Sequence, residues 1–122
     1  MRVQALVGAS ADIVGPETAA SDVVRVMIDR EVGAVAVVDS SGLVGICTDR
    51  DLARALATGS VADTPVVEIM TEAPDTVGPD VSVSDAAAWM LETGYRHLPV
   101  VQGGELLGIV DIRDVLWALI DA

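Results

Sequence analysis

The sequence predicts an α+β fold made of two copies of one β-α-β-β-α unit, with the sheets packed together and the helices outside. Three observations lead there: an internal repeat, short β-rich runs that alternate with segments of helical spacing, and Gly/Ser/Asp turns between paired runs. Shifted by 63 residues, the chain matches itself without a gap, and 16 of the 45 positions from 12 to 56 are identical. Asp12 falls on Asp75, Val14-Gly15-Pro16 on Val77-Gly78-Pro79, Ser21-Asp22 on Ser84-Asp85 and Met27 on Met90. Further along, Gly45-Ile46 falls on Gly108-Ile109 and Arg50-Asp51 on Arg113-Asp114. Such a register marks a duplicated unit. Residues 1–60 form the first repeat and 61–122 the second, joined through the small, polar stretch "ATGSVADTP".

Each unit opens with a short extended piece ending in Gly-Pro, Ile13–Pro16 or Thr76–Pro79. A helix follows, with Val23, Val26, Met27 and Arg30 at helical spacing in the first copy and Ala86, Trp89, Met90 and Leu91 in the second. Ser82-x-x-Asp85 has the form of a capping box, while Ala19 leaves the first helix without one. Then "VGAVAVV" and "LVGIC" flank "DSSG", as "HLPVV" and "LLGIV" flank "QGGE", and each pair predicts a hairpin. A last helix opens at Thr48 or Asp111. A three-stranded sheet with helices on one face leaves the other face bare, so the two units are expected to bury those faces together.

Composition narrows the function. The 122 residues carry a net charge of −12, and the seven basic residues are all arginines. That balance excludes a nucleic-acid partner, whose phosphates require a basic face. No apolar run is long enough for a membrane span, and the N-terminus lacks a secretory core. The single cysteine, Cys47, fits a reducing, cytoplasmic setting and a buried, inert position. One histidine and one cysteine make no transition-metal cluster, and neither a hydrolase triad signature nor a P-loop is present. The chain is therefore expected to be a binding protein rather than an enzyme, with no metal and no catalytic residue.

"GICTDRD" at 45–51 and "GIVDIRD" at 108–114 are the most informative stretches. Thr48-x-x-Asp51 is itself a capping box, in which hydroxyl and carboxylate each accept a backbone N–H. The same helix start can also hold a phosphate, through free N–H groups and the positive dipole end. A carboxylate three residues on can accept hydrogen bonds from vicinal ribose hydroxyls. Capping is indifferent to Thr or Asp at the first position, whereas phosphate binding is not. Two unit charges 4 Å apart repel by about 4 kcal/mol at an effective dielectric near 20, roughly a thousandfold in affinity.

The duplicated unit with G-φ-φ-[S/T]-x-x-D after its last strand resembles the cystathionine β-synthase (CBS) domain, and the whole chain resembles a tandem pair, or Bateman module. The Gly-Pro turn, "RHLPVV" and "GICTDRD" carry the resemblance, with Asp111 as the departure. It implies a pseudo-twofold pair with two clefts and an adenine nucleotide (AMP, ADP or ATP) or S-adenosylmethionine as regulatory ligand. Thr48 and Arg50 would meet phosphate and Asp51 the ribose. Arg96 and His97 would face the same cleft, and Ile13, Val35 and Ala36 would bound the adenine. A weaker second site would use Asp111, Asp114, Thr76 and Pro99, with an extra acid and no cation, because Gly33 and Ala34 stand where Arg96 and His97 do. The family also implies a homodimer through the helices bearing Trp89 and Trp117, since "VLWALI" is apolar all round, and a protein partner in trans. A module that binds no ligand, or a regulatory piece of a larger enzyme or transporter, would carry the same repeat.

Overall fold

The computed structural model of the protein describes residues 1–8, 11–59 and 62–121. Two compact units emerge, Asp12–Pro74 and a second composed of Met1–Ala11 with Asp75–Ala122.

In the Asp12–Pro74 unit the order is β1 (Ile13–Val14), α1 (Ala20–Arg30), β2 (Ala34–Asp39), β3 (Gly42–Thr48), α2 (Asp49–Ala57), a 3₁₀ turn (Val66–Glu68) and β4 (Thr71–Glu72). The sheet runs β1-β2-β3-β4, with β1 parallel to β2 and the other pairs antiparallel. The second unit repeats this plan with α3 (Val83–Thr93), β5 (His97–Gln102), β6 (Glu105–Asp111) and α4 (Ile112–Ile120), after a 3₁₀ turn at Val3–Leu6. Here the parallel edge shrinks to one bridge, Val77 to Val100, beside the β5-β6 pair. The expected three-stranded sheets are thus four strands in one unit, and two strands with a bridge in the other.

Local chemistry explains the turns and helix ends. Both hairpins close on the expected stretches, with two residues between the paired ends Asp39–Gly42 and Gln102–Glu105. Gly103 and Gly104 take φ of 58° and 81°, as a tight primed turn requires. In β2-β3 the Asp39 carboxylate instead accepts from the Ser41 N–H at 2.7 Å and hydroxyl at 2.6 Å. Ser82 caps α3 by accepting from Asp85 N at 3.0 Å, whereas Ala19 gives α1 no side-chain cap. Val14, Val23, Met27, Val35, Val37, Cys47 and Val66 form one core, and Val3, Val83, Ala86, Met90, Leu98, Val100, Val110 and Val115 the other.

Three of the residues at helical spacing lie on the surface. Arg30 is on the surface, bonded to Asp12, and Trp89 and Leu91 are exposed. A one-turn apolar pattern cannot distinguish the edge of a buried stripe from the surface beside it.

The segments that lead into each repeat behave alike. Val3 N donates to Val81 O at 2.9 Å and Gln4 N to Pro79 O at 3.1 Å. Their equivalents at an offset of 63 do the same, Val66 N to Thr18 O at 2.8 Å and Val67 N to Pro16 O at 3.1 Å. The N-terminal residues therefore stand to the Asp75–Ala122 fold as residues 64–70 stand to the Asp12-to-Ala57 fold.

Each lead segment crosses a glycine of the inner strand. A Cβ on Gly45 would collide with the Met70 side chain and lie 2.9 Å from the Thr71 carbonyl oxygen; one on Gly108 would collide with Val7. Gly45→Ala and Gly108→Ala are each expected to cost about 1–3 kcal/mol in urea denaturation, from overpacking. Gly45 should be the more sensitive, because a backbone atom cannot swing aside. Gly78→Ala, with nothing within 4 Å of the added carbon, should change stability by less than about 0.5 kcal/mol.

Candidate functional site

Strand β3 runs into α2 at Thr48, whose extended backbone (φ −107°, ψ 166°) makes it the N-cap. The capping box is complete: Thr48 Oγ1 accepts from Asp51 N at 3.1 Å, and Asp51 Oδ2 accepts from Thr48 N at 3.0 Å. Asp51 is 6% exposed, the one buried polar or charged side chain among the described residues. Thr71 on β4 donates its hydroxyl to Asp51 Oδ1 at 3.2 Å, and Arg54 approaches the same oxygen at 3.6 Å. Sequence spacing identified Thr48 and Asp51 but missed Thr71 and Arg54. Arg54 lies one helical turn beyond Asp51, a position open to inspection, whereas Thr71 depends on β4 folding back. Arg50 is exposed in the first turn, its N–H bonded to Asp49 Oδ1 at 2.8 Å.

Strand register sorts the other expected residues. Ile13 is aligned with Ala36, Ala36 with Ile46 and Ala34 with Thr48, so these five side chains share one face of the sheet. Ile13 is 55% exposed there, while Ala34, Ala36 and Ile46 are buried. Val35 belongs to the opposite face, in the core with Val23 and Met27. Alternation puts the Val35 side chain under the helices, so of the expected adenine-bounding residues Ile13 and Ala36 present side chains on this face and Val35 only its backbone.

The second helix start is built differently. Asp111 caps α4 by accepting from Arg113 N at 2.7 Å, not from Asp114 N. The Arg113 guanidinium also donates to both Asp111 oxygens, at 3.3 and 3.1 Å. The β5-β6 register aligns His97 with Asp111, and His97 Nε2 lies 3.4 Å from Asp111 Oδ2. The expectation that Asp111 sits without a cation is therefore overturned: a carboxylate at the cap attracts the arginine two residues on, and the strand supplies an imidazole. Asp114 is exposed, unlike its equivalent Asp51. Pro99 aligns with Ile109 and shares the face of His97 and Asp111, while the exposed Thr76 precedes the Val77 bridge. Arg96 is exposed before β5, and its carbonyl accepts from Ile112 N at 2.8 Å as Gly33 O accepts from Asp49 N at 3.0 Å.

Next to the two helix starts, two ionisations are displaced. Burial, then the nearby Asp51 charge, pushes the Cys47 thiol up to about 12, so it stays protonated at neutral pH. For Asp111, burial raises the pKa, but the Arg113 hydrogen bonds and the charges of His97 and Arg113 outweigh it and hold the group below its ordinary value.

A family model for the CBS domain matches residues 10–58 and 66–121. Bacillus subtilis YhcV, a CBS domain-containing protein, is 36% identical over 103 residues, covering 84% of this chain and 74% of that protein. A CBS-domain containing protein from Agrobacterium tumefaciens superposes with a TM-score of 0.91 at 29% identity, covering 98% of this chain and 99% of the other. A CBS domain protein from Pyrobaculum aerophilum, complexed with AMP, superposes with a TM-score of 0.87 at 26% identity over 100% of both chains.

The depressed Asp111 pKa has a measurable consequence. A carboxylate more acidic in the folded chain contributes stability that is present above its unfolded value, near 3.8, and is lost as pH falls through the lower folded value. Asp111→Asn is expected to remove that contribution. The wild-type-minus-variant difference in unfolding free energy should be level above about pH 5 and shrink below about pH 4, as read from urea melts across pH.

Proposed function

Because the chain belongs to the CBS-domain family, we propose that it is a regulatory module that binds an adenosine-bearing ligand at the start of α2 and reports occupancy to a partner. Candidate ligands are AMP, ADP, ATP and S-adenosylmethionine. The observation that carries this reading is the buried, preorganised Asp51 carboxylate on a helix start. It has support from a relative of the same fold, at 26% identity, that is complexed with AMP. A carboxylate has about four acceptor sites. The Thr48 N–H and the Thr71 hydroxyl leave capacity for ribose hydroxyls, or Thr71 can yield its place to one. Thr48 and the N-terminal amides of α2 suit a phosphate, with Arg50 as an exposed counter-charge. Ile13 and Ala36, on the face that carries Thr48, provide the apolar wall for a purine. In this reading the ligand acts by its differential affinity for two states of the protein, and the module senses rather than catalyses.

The complete capping box favours a second reading, in which Thr48 and Asp51 only start a helix and the module works through protein contacts. Ligand-dependent melting separates the two. Under the proposed reading, at least one of AMP, ADP, ATP and S-adenosylmethionine raises Tm, approaching about 2.7 kcal/mol of stabilisation at a hundredfold excess over Kd. Asp51→Asn should weaken that ligand about tenfold or more, as the loss of a charged hydrogen bond implies. The capping reading expects Asp51→Asn to lower stability by about 1 kcal/mol with no ligand response in either protein. Flat melts with all four compounds would overturn the proposal.

We also propose that two copies associate through α4. Among the side chains of that helix Val115 is buried, while Trp117 is 68% and Ile120 76% exposed beside Leu116 and Leu119. An apolar strip of this kind on a regular helix is one that water does not favour. Sedimentation is expected to give a dimer for the wild type and a monomer for Ile120→Asp.

A further inference from the structure

In the Asp75–Ala122 unit a cavity of about 390 Å³ opens between Asp75, Thr76, Val81, Asp85 and Trp89. It combines two carboxylates with an indole that is 41% exposed. The sister unit shows what these carboxylates do when they are supplied from within. Asp12, the equivalent of Asp75, accepts from Arg30 Nε at 2.9 Å, and Asp22, the equivalent of Asp85, accepts from Arg25 at 2.9 Å. At an offset of 63 those arginines are replaced by Thr93 and Ala88, and Val26 is replaced by Trp89. Both acids have been kept, both guanidinium groups have been removed, and an aromatic face has been added.

We infer that this cavity binds a guanidinium group from outside the fold. Carboxylates hold guanidinium in planar, paired hydrogen bonds, and the face of an indole is the best of the aromatic side chains for a cation. Arginine is also more weakly hydrated than an ammonium, so it loses less on settling into an open, surface-exposed site such as this one. The surrounding frame is fixed. Tyr95 stands where the sister unit has Val32, and the charge of the adjacent Asp75, with its acceptor oxygens, raises the phenol's pKa. Thr93 Oγ1 donates to Trp89 O at 2.7 Å and accepts from Tyr95 N at 3.3 Å, tying the end of α3 to that loop. The net charge of −12 draws cations toward the molecule. A metal ion fits less well, because an indole is no ligand and no group of three or more His, Cys, Asp or Glu residues is placed for one among the described residues.

The test uses n-propylguanidinium, with uncharged n-propylurea as its planar counterpart, titrated against the full chain carrying Trp117→Phe so that fluorescence reports Trp89. Saturable quenching by the guanidinium and none by the urea is expected, with Asp75→Asn and Asp85→Asn each weakening binding about tenfold or more. The double variant Ala88→Arg/Thr93→Arg, which restores the sister unit's arginines, is expected to abolish binding while leaving the far-UV circular dichroism unchanged. A short Gly-Arg-Gly peptide distinguishes the source. Tighter binding than the free compound assigns the site to an arginine of a partner protein, and equal binding assigns it to a free small molecule. Non-saturating titrations, or equal affinity in the Asp75→Asn/Asp85→Asn double variant, would overturn the inference.

Discussion

A buried carboxylate sets the terms for the Asp12–Pro74 unit. An ionised group removed from water must find hydrogen-bond donors or give up its charge, and Asp51 finds them on two elements. The Thr48 N–H comes from the end of β3, and the Thr71 hydroxyl from β4. The second donor exists only because β4 pairs with β3 through Gly45 and Ile46. That pairing brings Met70 and the Thr71 carbonyl across Gly45, where any side chain would push them away. The missing Cβ, the short edge strand and the satisfied carboxylate thus form one chain of dependence. An alteration at Gly45 reaches Asp51 without touching it.

The second unit meets the same geometric requirement with different chemistry. Its lead segment crosses Gly108, yet its cap is an aspartate, and that one exchange rearranges the charges around it. A threonine hydroxyl is neutral, so in the first unit the arginine two residues on, Arg50, has no carboxylate at the cap to answer. A carboxylate at the cap takes hold of Arg113 and draws His97 from the adjoining strand. Asp114 is at the surface, whereas Asp51 is buried. Two helix starts with the same spacing are therefore not two copies of one site.

What could be foreseen from the sequence divides along physical lines. The repeat, the hairpins and the caps at Ser82, Thr48 and Asp111 were legible because each depends on residues close together in the chain. Strand β4 and the Thr71 donor were not, since nothing local marks Thr71–Glu72 as a strand and only tertiary pairing makes it one. That the Val35 side chain lies on the opposite face from Ile13 and Ala36 needs a register, because alternation has no origin until the strands are paired. The approach of His97 to Asp111 also depends on register, as these residues lie on opposite strands of a hairpin. The exposure of Trp89 follows from how wide a stripe α3 buries, which spacing alone leaves open.

Arginine is the scarce resource of this chain, and its distribution bears on any ligand. Within their own units Arg2 bonds Asp80, Arg25 bonds Asp22, Arg30 bonds Asp12, Arg54 approaches Asp51 and Arg113 bonds Asp111. The pairs exposed on both sides, Arg2–Asp80 and Arg25–Asp22, add little stability, but every pair cancels a local charge in a molecule with 19 acids. A nucleotide phosphate therefore meets a field that opposes it at long range, and salt screens that field over about 8–10 Å. Affinity for such a ligand has to come from groups within hydrogen-bond reach: the amides that open α2, the Thr48 hydroxyl and Arg50. A cation meets the reverse situation, favoured at a distance and held wherever acids lack an internal arginine. The same imbalance that makes the α2 start depend on close contacts makes the Trp89 cavity receptive.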